Sequence, residues 1–296
     1  MKKQIECDLC GSSSHSRRYR FNDLDVVKCN GCGLVYVQLY ENADAAPKMV
    51  YSADYFKDRG EYFLHVSDKE VEEMDGSHID SFRDGLNRLK KQEKSGTLLD
   101  VGCAVGVFLS MAEKEGWGVS GVDVSEYAVS RARKRCSGDI RAGELDDVHF
   151  PDASFDVITM WDVVEHFPHP SEALREAHRI LKDDGMILMD TPNEEALIRK
   201  LAFRIYRTLG GLSSYPAKKL YHRYHLYYFS EKTLTLLLDK CGFEAIEVVH
   251  KPIPREKGRG NRLERFLVMA VGALEKPLGM DYEVLVLARK KRRKSP

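Results

Sequence analysis

The chain has 296 residues, with 46 cationic and 46 anionic side chains, and is 43% apolar and 31% charged. This suits one large globular domain with a small addition, and zero net charge excludes a global field drawing the whole molecule to nucleic acid. No run approaches the roughly 20 apolar residues of a membrane-spanning helix, and the start MKKQIECDLC lacks a secretory apolar segment. The expectation is a cytoplasmic chain without a transmembrane segment.

Residues 1–40 carry four of the seven cysteines, as Cys7-x-x-Cys10 and Cys29-x-x-Cys32 with residues 11–28 between the pairs. That is zinc-ribbon spacing, and in a reducing compartment disulfides are the weaker reading. Gly11 and Gly33 follow the second cysteine of each pair and suit tight turns whose N–H groups face thiolate sulfur. Four thiolates fill a tetrahedral shell and leave no open position, so the expected Zn2+ is structural. Cys103, Cys136 and Cys241 lie in or near apolar segments and read as core.

Residues 41–95 are charged, tyrosine-rich and helical in pattern, a connector or lid before the main domain at 96–290. That domain is organised around residues 97–109, TLLDVGCAVGVFL. Leu98, Leu99 and Val101 form the apolar run of a strand buried on both faces, whereas Val107, Phe108, Met111 and Ala112 recur at helical spacing. Gly102 and Gly106 lie where the patterns meet and allow a sharp turn with close approach to a ligand. The sequence Gly102-Cys103-Ala104-Val105-Gly106 is not the G-x-G-x-x-G of dinucleotide folds. A second strand, residues 118–124, ends in Asp123, placed to accept from ribose hydroxyls, and Asp100 can face a cationic ligand.

The segments D-V-G-C-A-V-G and G-V-D-V-S resemble motifs I and II of the class I S-adenosylmethionine-dependent methyltransferases. The resemblance implies a Rossmann-like α/β fold: a seven-stranded, mostly parallel sheet with an antiparallel last strand, here with an N-terminal zinc ribbon and a helical substrate cover. It implies S-adenosylmethionine as cofactor, bound through Asp100, Gly102, Cys103, Gly106, Asp123, Val124, Glu144, Leu145 and Trp161. Ala104 stands where the family commonly has glycine. Tyr51, Tyr55 and Phe56 match a Tyr/Phe pair that folds over the cofactor in relatives with a similar ribbon.

Further strands are expected after residue 140, at 155–160, 186–190, 243–250 and 282–288, the final pair forming an antiparallel edge. Ser125 and Ser230 are expected to cap helices, Ser171 to start one, and Asp183-Asp184-Gly185 to end it. An insertion at 194–229 begins with an amphipathic helix. Leu197, Ile198, Leu201, Ile205 and Leu209 lie on one side, and Arg199, Lys200, Arg204 and Arg207 on the other. It is expected to cover the substrate, with peripheral membrane contact as an alternative. Residues 291–296 are a basic tail.

Methyl transfer from a sulfonium needs the acceptor held in line, its proton removed and water excluded. Asp162, Glu165, His166 and His225 are the expected catalytic residues, with Trp161, Asn193, His222 and Tyr228 nearby and His166 as general base. The run Asp162-x-x-Glu165-His166 with a later histidine resembles ubiquinone-pathway and small-RNA methyltransferases that bind a divalent ion, so Mg2+ at the active site is a further expectation. The reading is O-methylation of a small-molecule or carbohydrate-linked hydroxyl. The alternatives are an RNA methyltransferase whose ribbon holds the nucleic acid, and a binding module without turnover. Nucleic acid is disfavoured, because Arg17, Arg18 and Arg20 are partly balanced by Asp23 and Asp25.

Overall fold

The computed structural model describes residues 6–21, 24–39, 77–93, 95–210, 215–221, 224–253 and 262–291. Tyr51, Tyr55, Phe56, His222 and the tail beyond Lys291 lie outside the described residues. Strands β1 (His15–Arg20), β2 (Leu24–Cys29) and β3 (Val35–Leu39) precede helix α1 (Ser77–Lys91). The main domain then runs β4 (Thr97–Val101), α2 (Val107–Lys114), β5 (Gly118–Asp123), α3 (Glu126–Arg135), β6 (Asp139–Ala142) and β7 (Phe155–Trp161). It continues with α4 (Pro170–Ile180), β8 (Leu181–Pro192), α5 (Leu197–Thr208), α6 (Tyr215–Leu220) and β9 (Tyr227–Tyr228). The last elements are α7 (Glu231–Lys240), β10 (Phe243–Lys251), α8 (Arg262–Leu278) and β11 (Glu283–Lys290).

Seven of these strands form one sheet in the order β10-β11-β8-β7-β4-β5-β6. Side-chain alternation explains why β4 lies inside it: Leu99 and Val101 pack on one face with Ile158 and Met160, and Leu98 on the other with Val157 and Leu188. From β4 the chain winds outward twice, through β5 and β6 and then through β7 and β8, so the C-terminal ends of β4 and β5 open a crevice at the switch in strand order. The last strand, β11, is antiparallel as expected, but it lies between β8 and β10 and is not itself the edge. Its Val284 to Ala288 are buried throughout, which suits an inner strand, whereas β10 is only half-buried along most of its length.

A second sheet joins the ribbon to the cover. β1, β2 and β3 form an antiparallel meander, and β9, from the far end of the 194–229 insertion, adds to it with Val35 opposite Tyr228 and Tyr36 opposite Tyr227. Ribbon and cover therefore share one sheet. Their joint core contains Tyr19, Val26, Val35, Tyr221 and Tyr228, with Phe203 and Tyr206 of α5 packed against it.

Two local expectations, at residues 183–185 and at Arg199, are corrected. Ser171 starts α4 as expected, although the N-cap, His169, makes no side-chain cap bond. Asp8 of the ribbon instead accepts from the Ser171 amide and hydroxyl at 2.9 and 3.0 Å, so a carboxylate from another element supplies the negative charge favoured at a helix start. Asp183-Asp184-Gly185 belongs to β8, which begins at Leu181 opposite Phe155 and shifts register before Met186. Arg199 is not on a solvated face. It is 1% exposed, donates to the Leu220 carbonyl at 2.9 Å, and lies 4.8 to 5.9 Å from the ring centres of Tyr221, Tyr228 and Tyr282. The nearby buried Glu194 balances it, pairs with Arg18 of the ribbon and accepts from the Tyr221 hydroxyl at 2.9 Å. A buried cation without such partners would cost several kcal/mol.

Candidate active site

The glycine turn after β4 adopts the geometry that its residues anticipate. Gly102 and Gly106 have φ of 75° and 79°, in the left-handed region that side chains avoid. A Cβ on Gly102 would lie 2.4 Å from Val163, so the loop packs directly on the segment after β7. Ala104 is left-handed too, at φ 46°, which explains the preference for glycine there and costs on the order of 1 kcal/mol. Its amide donates to Asp123 at 2.9 Å, while the other Asp123 oxygen accepts from Ser125 at 2.8 Å.

A cavity of about 240 Å³ opens beside this loop. Gly102, Asp123, Val124, Glu144, Leu145 and Trp161 line it, and Asp162 and His166 complete its far wall. Three other expected cofactor residues lie behind that lining. Asp100 is 2% exposed, accepts from the Thr159 hydroxyl at 2.6 Å and is pushed up to about 8 by burial. Cys103 packs inward, its thiol raised by burial, and Gly106 is the N-cap of α2. A concave site with a glycine turn at a helix start and carboxylates in its lining suits a nucleoside-like ligand carrying positive charge.

Trp161 is set by α1. It packs edge-on against Phe82 at 4.9 Å between ring centres and lies 5.1 Å from Phe108. Gly85 makes this contact possible, since a Cβ there would lie 2.5 Å from the indole. Gly85→Ala is expected to cost about 1–3 kcal/mol through overpacking and to weaken S-adenosylhomocysteine binding. Thermal unfolding and calorimetry check the two effects. No motif pointed to Gly85, nor to His78 on the same helix, whose Nδ1 lies 4.0 Å from Asp162.

The segment after β7 forms a 3-10 turn, Val164–His166. Glu165 is 1% exposed, and one of its oxygens accepts from the Thr191 hydroxyl at 2.9 Å. The other oxygen is buried without a partner among the described residues, and burial, with Asp162 and Asp190 adding, holds this carboxyl well above its ordinary range. His166 Nδ1 lies 2.7 Å from the Tyr224 carbonyl. A carbonyl only accepts, so Nδ1 carries the proton and Nε2 holds the lone pair of the neutral ring. His225 packs edge-on against His166, with ring centres 4.6 Å apart.

The ligating atoms of Glu165, His166 and His225 lie within 4.8 Å of one another. Asp162, expected to join them, is absent from the cluster. Its φ of 52° is strained for a non-glycine residue, its amide donates to the Asp190 carbonyl, and its carboxylate faces His78. Leu226 joins cover to floor: its amide donates to the Glu165 carbonyl, and its own carbonyl accepts from Val37 of β3, each at 2.8 Å.

In the ribbon the four cysteine sulfurs also lie within 4.8 Å of one another, with Cys7 3.5 Å from Cys32 and Cys10 3.4 Å from Cys29. A tetrahedral zinc with bonds of about 2.3 Å sets sulfurs about 3.8 Å apart, close to this arrangement. Gly11 and Gly33 are left-handed and close the two turns on the Cys7 and Cys29 carbonyls. Burial opposes a thiolate at Cys29, but the N–H groups of Cys32 and Gly31 outweigh it and bring this thiol down to about 7.

A model of the methyltransferase-domain family matches residues 74–248. A ubiquinone biosynthesis O-methyltransferase of Pseudomonas paraeruginosa is 33% identical over 105 residues, 33% of this chain and 44% of the relative. A probable S-adenosylmethionine-dependent methyltransferase of Mycolicibacterium smegmatis is 34% identical over 97 residues, 32% of this chain and 38% of the relative. The matched stretches thus span about two fifths of these relatives. The crystal structure of a magnesium protoporphyrin IX methyltransferase from Synechocystis shares the fold, with a TM-score of 0.55 at 15% identity over 82% of this chain and 98% of that one. With more than half its length matched and the glycine turn, Asp123 and the crevice where such a domain needs them, the chain belongs to the S-adenosylmethionine-dependent methyltransferase family.

Proposed function

We propose that the chain is an O-methyltransferase for a small-molecule or carbohydrate-linked hydroxyl, with His166 as general base. The observation that carries this reading is the Nδ1 bond to Tyr224, which fixes the tautomer able to accept a proton at Nε2 in the lining of the cavity. S-adenosylmethionine, held through the glycine turn, Asp123 and Glu144, supplies an electrophilic methyl group. Asp123 and Glu144 would accept from ribose and adenine donors, Trp161 and Leu145 flank the cavity, and Asp100 ties the end of β4 to Thr159 of β7. His166 takes the hydroxyl proton as the oxygen attacks, and His225 and Leu226, from the cover, close the site to water.

Glu165, buried and accepting from the Thr191 hydroxyl, holds the floor of the site. Two imidazoles and one carboxylate are a donor set for transition ions, whereas Mg2+ takes oxygen ligands almost throughout, so the cluster does not suit Mg2+. The four ribbon thiols do suit Zn2+, in a closed shell that serves the fold. Arg18, which a ribbon reading RNA would present outward, instead pairs with buried Glu194, while Arg17 and Arg20 lie 4.0 and 3.6 Å from Asp25. This favours the small-molecule acceptor over RNA.

The test is incubation with methyl-labelled S-adenosylmethionine and a panel of catechols and nucleotide-linked sugars, with products read by mass spectrometry. The expected product is an O-methyl ether. Label appearing only on nitrogen, carbon or RNA would overturn the reading.

A further inference from the structure

Helices α5 and α8 pack against each other, and each exposes apolar side chains while burying a charged one. The described side chains turned inward include Arg199 and Glu275, 1% and 0% exposed, the latter accepting from the Ile253 amide at 2.9 Å. The outward faces are apolar. On α5, Leu201, Ile205 and Leu209 recur every four residues as one exposed stripe, and on α8 the exposed residues include Phe266, Met269, Leu274 and Leu278. Phe266 and Met269 are 67% and 73% exposed, which neither helix needs for packing in water.

Charge around this surface is mostly of one sign, the exception being Glu195 just before α5, which pairs with Lys200 at 2.6 Å. Lys200, Arg204 and Arg207 border the α5 stripe, Lys218 and Lys219 follow on α6, and Lys276 lies on the exposed side of α8. Among the described side chains of the three helices no carboxylate is exposed: α5 and α6 contain none, and Glu275 is buried. In a chain of zero net charge this is a local concentration of cations around exposed leucine, isoleucine, methionine and phenylalanine. No helix among the described residues is long and apolar enough to cross a membrane.

We propose that the outward faces of α5 and α8 form a docking surface for an anionic lipid bilayer, the apolar side chains entering the interface and the bordering cations meeting lipid phosphates. An amphipathic helix with cations beside its apolar stripe lies in the plane of such an interface, and each cation near an anionic surface adds to the attraction. The surface belongs to the cover whose continuation, through α6, carries His225 and β9. Docking there sets the cover against the membrane. The inference rests on the O-methyltransferase reading in one respect: the acceptor it favours is a hydroxyl compound carried on a lipid.

Flotation of the full chain tests it, with vesicles of phosphatidylcholine alone and of phosphatidylcholine mixed with phosphatidylglycerol. The expected result is co-flotation with the mixed vesicles, reduced by added salt. The surface double variant Ile205→Ser/Met269→Ser should lower partitioning by about tenfold or more, with S-adenosylhomocysteine binding unchanged. Absence of flotation with either vesicle, or unchanged partitioning of the variant, would overturn the proposal, and equal binding to phosphatidylcholine alone would overturn its anionic part. A dimer that the variant converts to monomer, without vesicle binding, would assign the face to a second copy of the chain. Failure to bind S-adenosylhomocysteine would instead count against the methyltransferase reading and leave the vesicle result standing.

Discussion

His166→Asn is expected to lower the rate of methyl transfer by about 10²–10⁴-fold, the range for loss of a positioned general base, with S-adenosylhomocysteine affinity nearly unchanged. Asparagine is the informative replacement because its amide nitrogen can take the place of Nδ1 and still donate to the Tyr224 carbonyl. The tie between floor and cover therefore survives while the proton acceptor is lost. His166→Gln puts its amide nearer the Nε2 position and should be equally slow, with a weaker hold on Tyr224. Single-turnover measurement with the acceptor identified by the labelled panel separates the chemical step from binding. A variant that retained the rate would exclude His166 as the base.

Cys29→Ser is expected to abolish both zinc binding and turnover, although Cys29 lies in the ribbon and not in the lining of the cavity. A structural zinc in so small a module supplies on the order of 10 kcal/mol of folding free energy, so its loss unfolds β2 and β3. β3 holds Tyr227 and Tyr228 by strand pairing and the Leu226 carbonyl by a hydrogen bond, and Leu226 in turn holds the Glu165 carbonyl. Releasing β3 thus frees Tyr224 and His225 from the floor. Elemental analysis should find about one zinc per wild-type chain and none in the variant. Limited proteolysis should open both the ribbon and residues 221–229 in the variant. Full activity in a zinc-free protein would show that the ribbon is dispensable to the site.

The parts of this fold that are legible in the sequence are those fixed by short-range chemistry. The glycine turn, Asp123 and the Ser125 cap each follow from residue types whose backbone preferences act within a few positions. The paired cysteines are legible for the same reason. Glu165, His166 and His225 came together as the family resemblance implied, but Asp162 did not, because its left-handed backbone turns it toward His78. What local patterns could not carry is partner choice. β9 is two residues long and pairs with a strand about 190 positions earlier, so its role has no local signature. On α5 periodicity identified two faces but not which of them meets the protein. The apolar stripe at Leu201, Ile205 and Leu209 is outward, and Arg199 is inward among aromatic rings and beside Glu194.

The central claim is that the crevice beside the glycine turn binds S-adenosylmethionine through Asp123. Isothermal calorimetry with S-adenosylhomocysteine, on the intact chain and on Asp123→Ala, tests it most directly. The carboxylate already accepts from the Ala104 and Ser125 amides, so it shapes the loop, and its remaining lone pairs are those the proposed ligand would use. The prediction is binding at one site per chain, weakened by about 1–3 kcal/mol in the variant, as expected when a charge-assisted hydrogen bond is lost. No heat of binding for either S-adenosylmethionine or S-adenosylhomocysteine with the intact, folded chain would contradict the account.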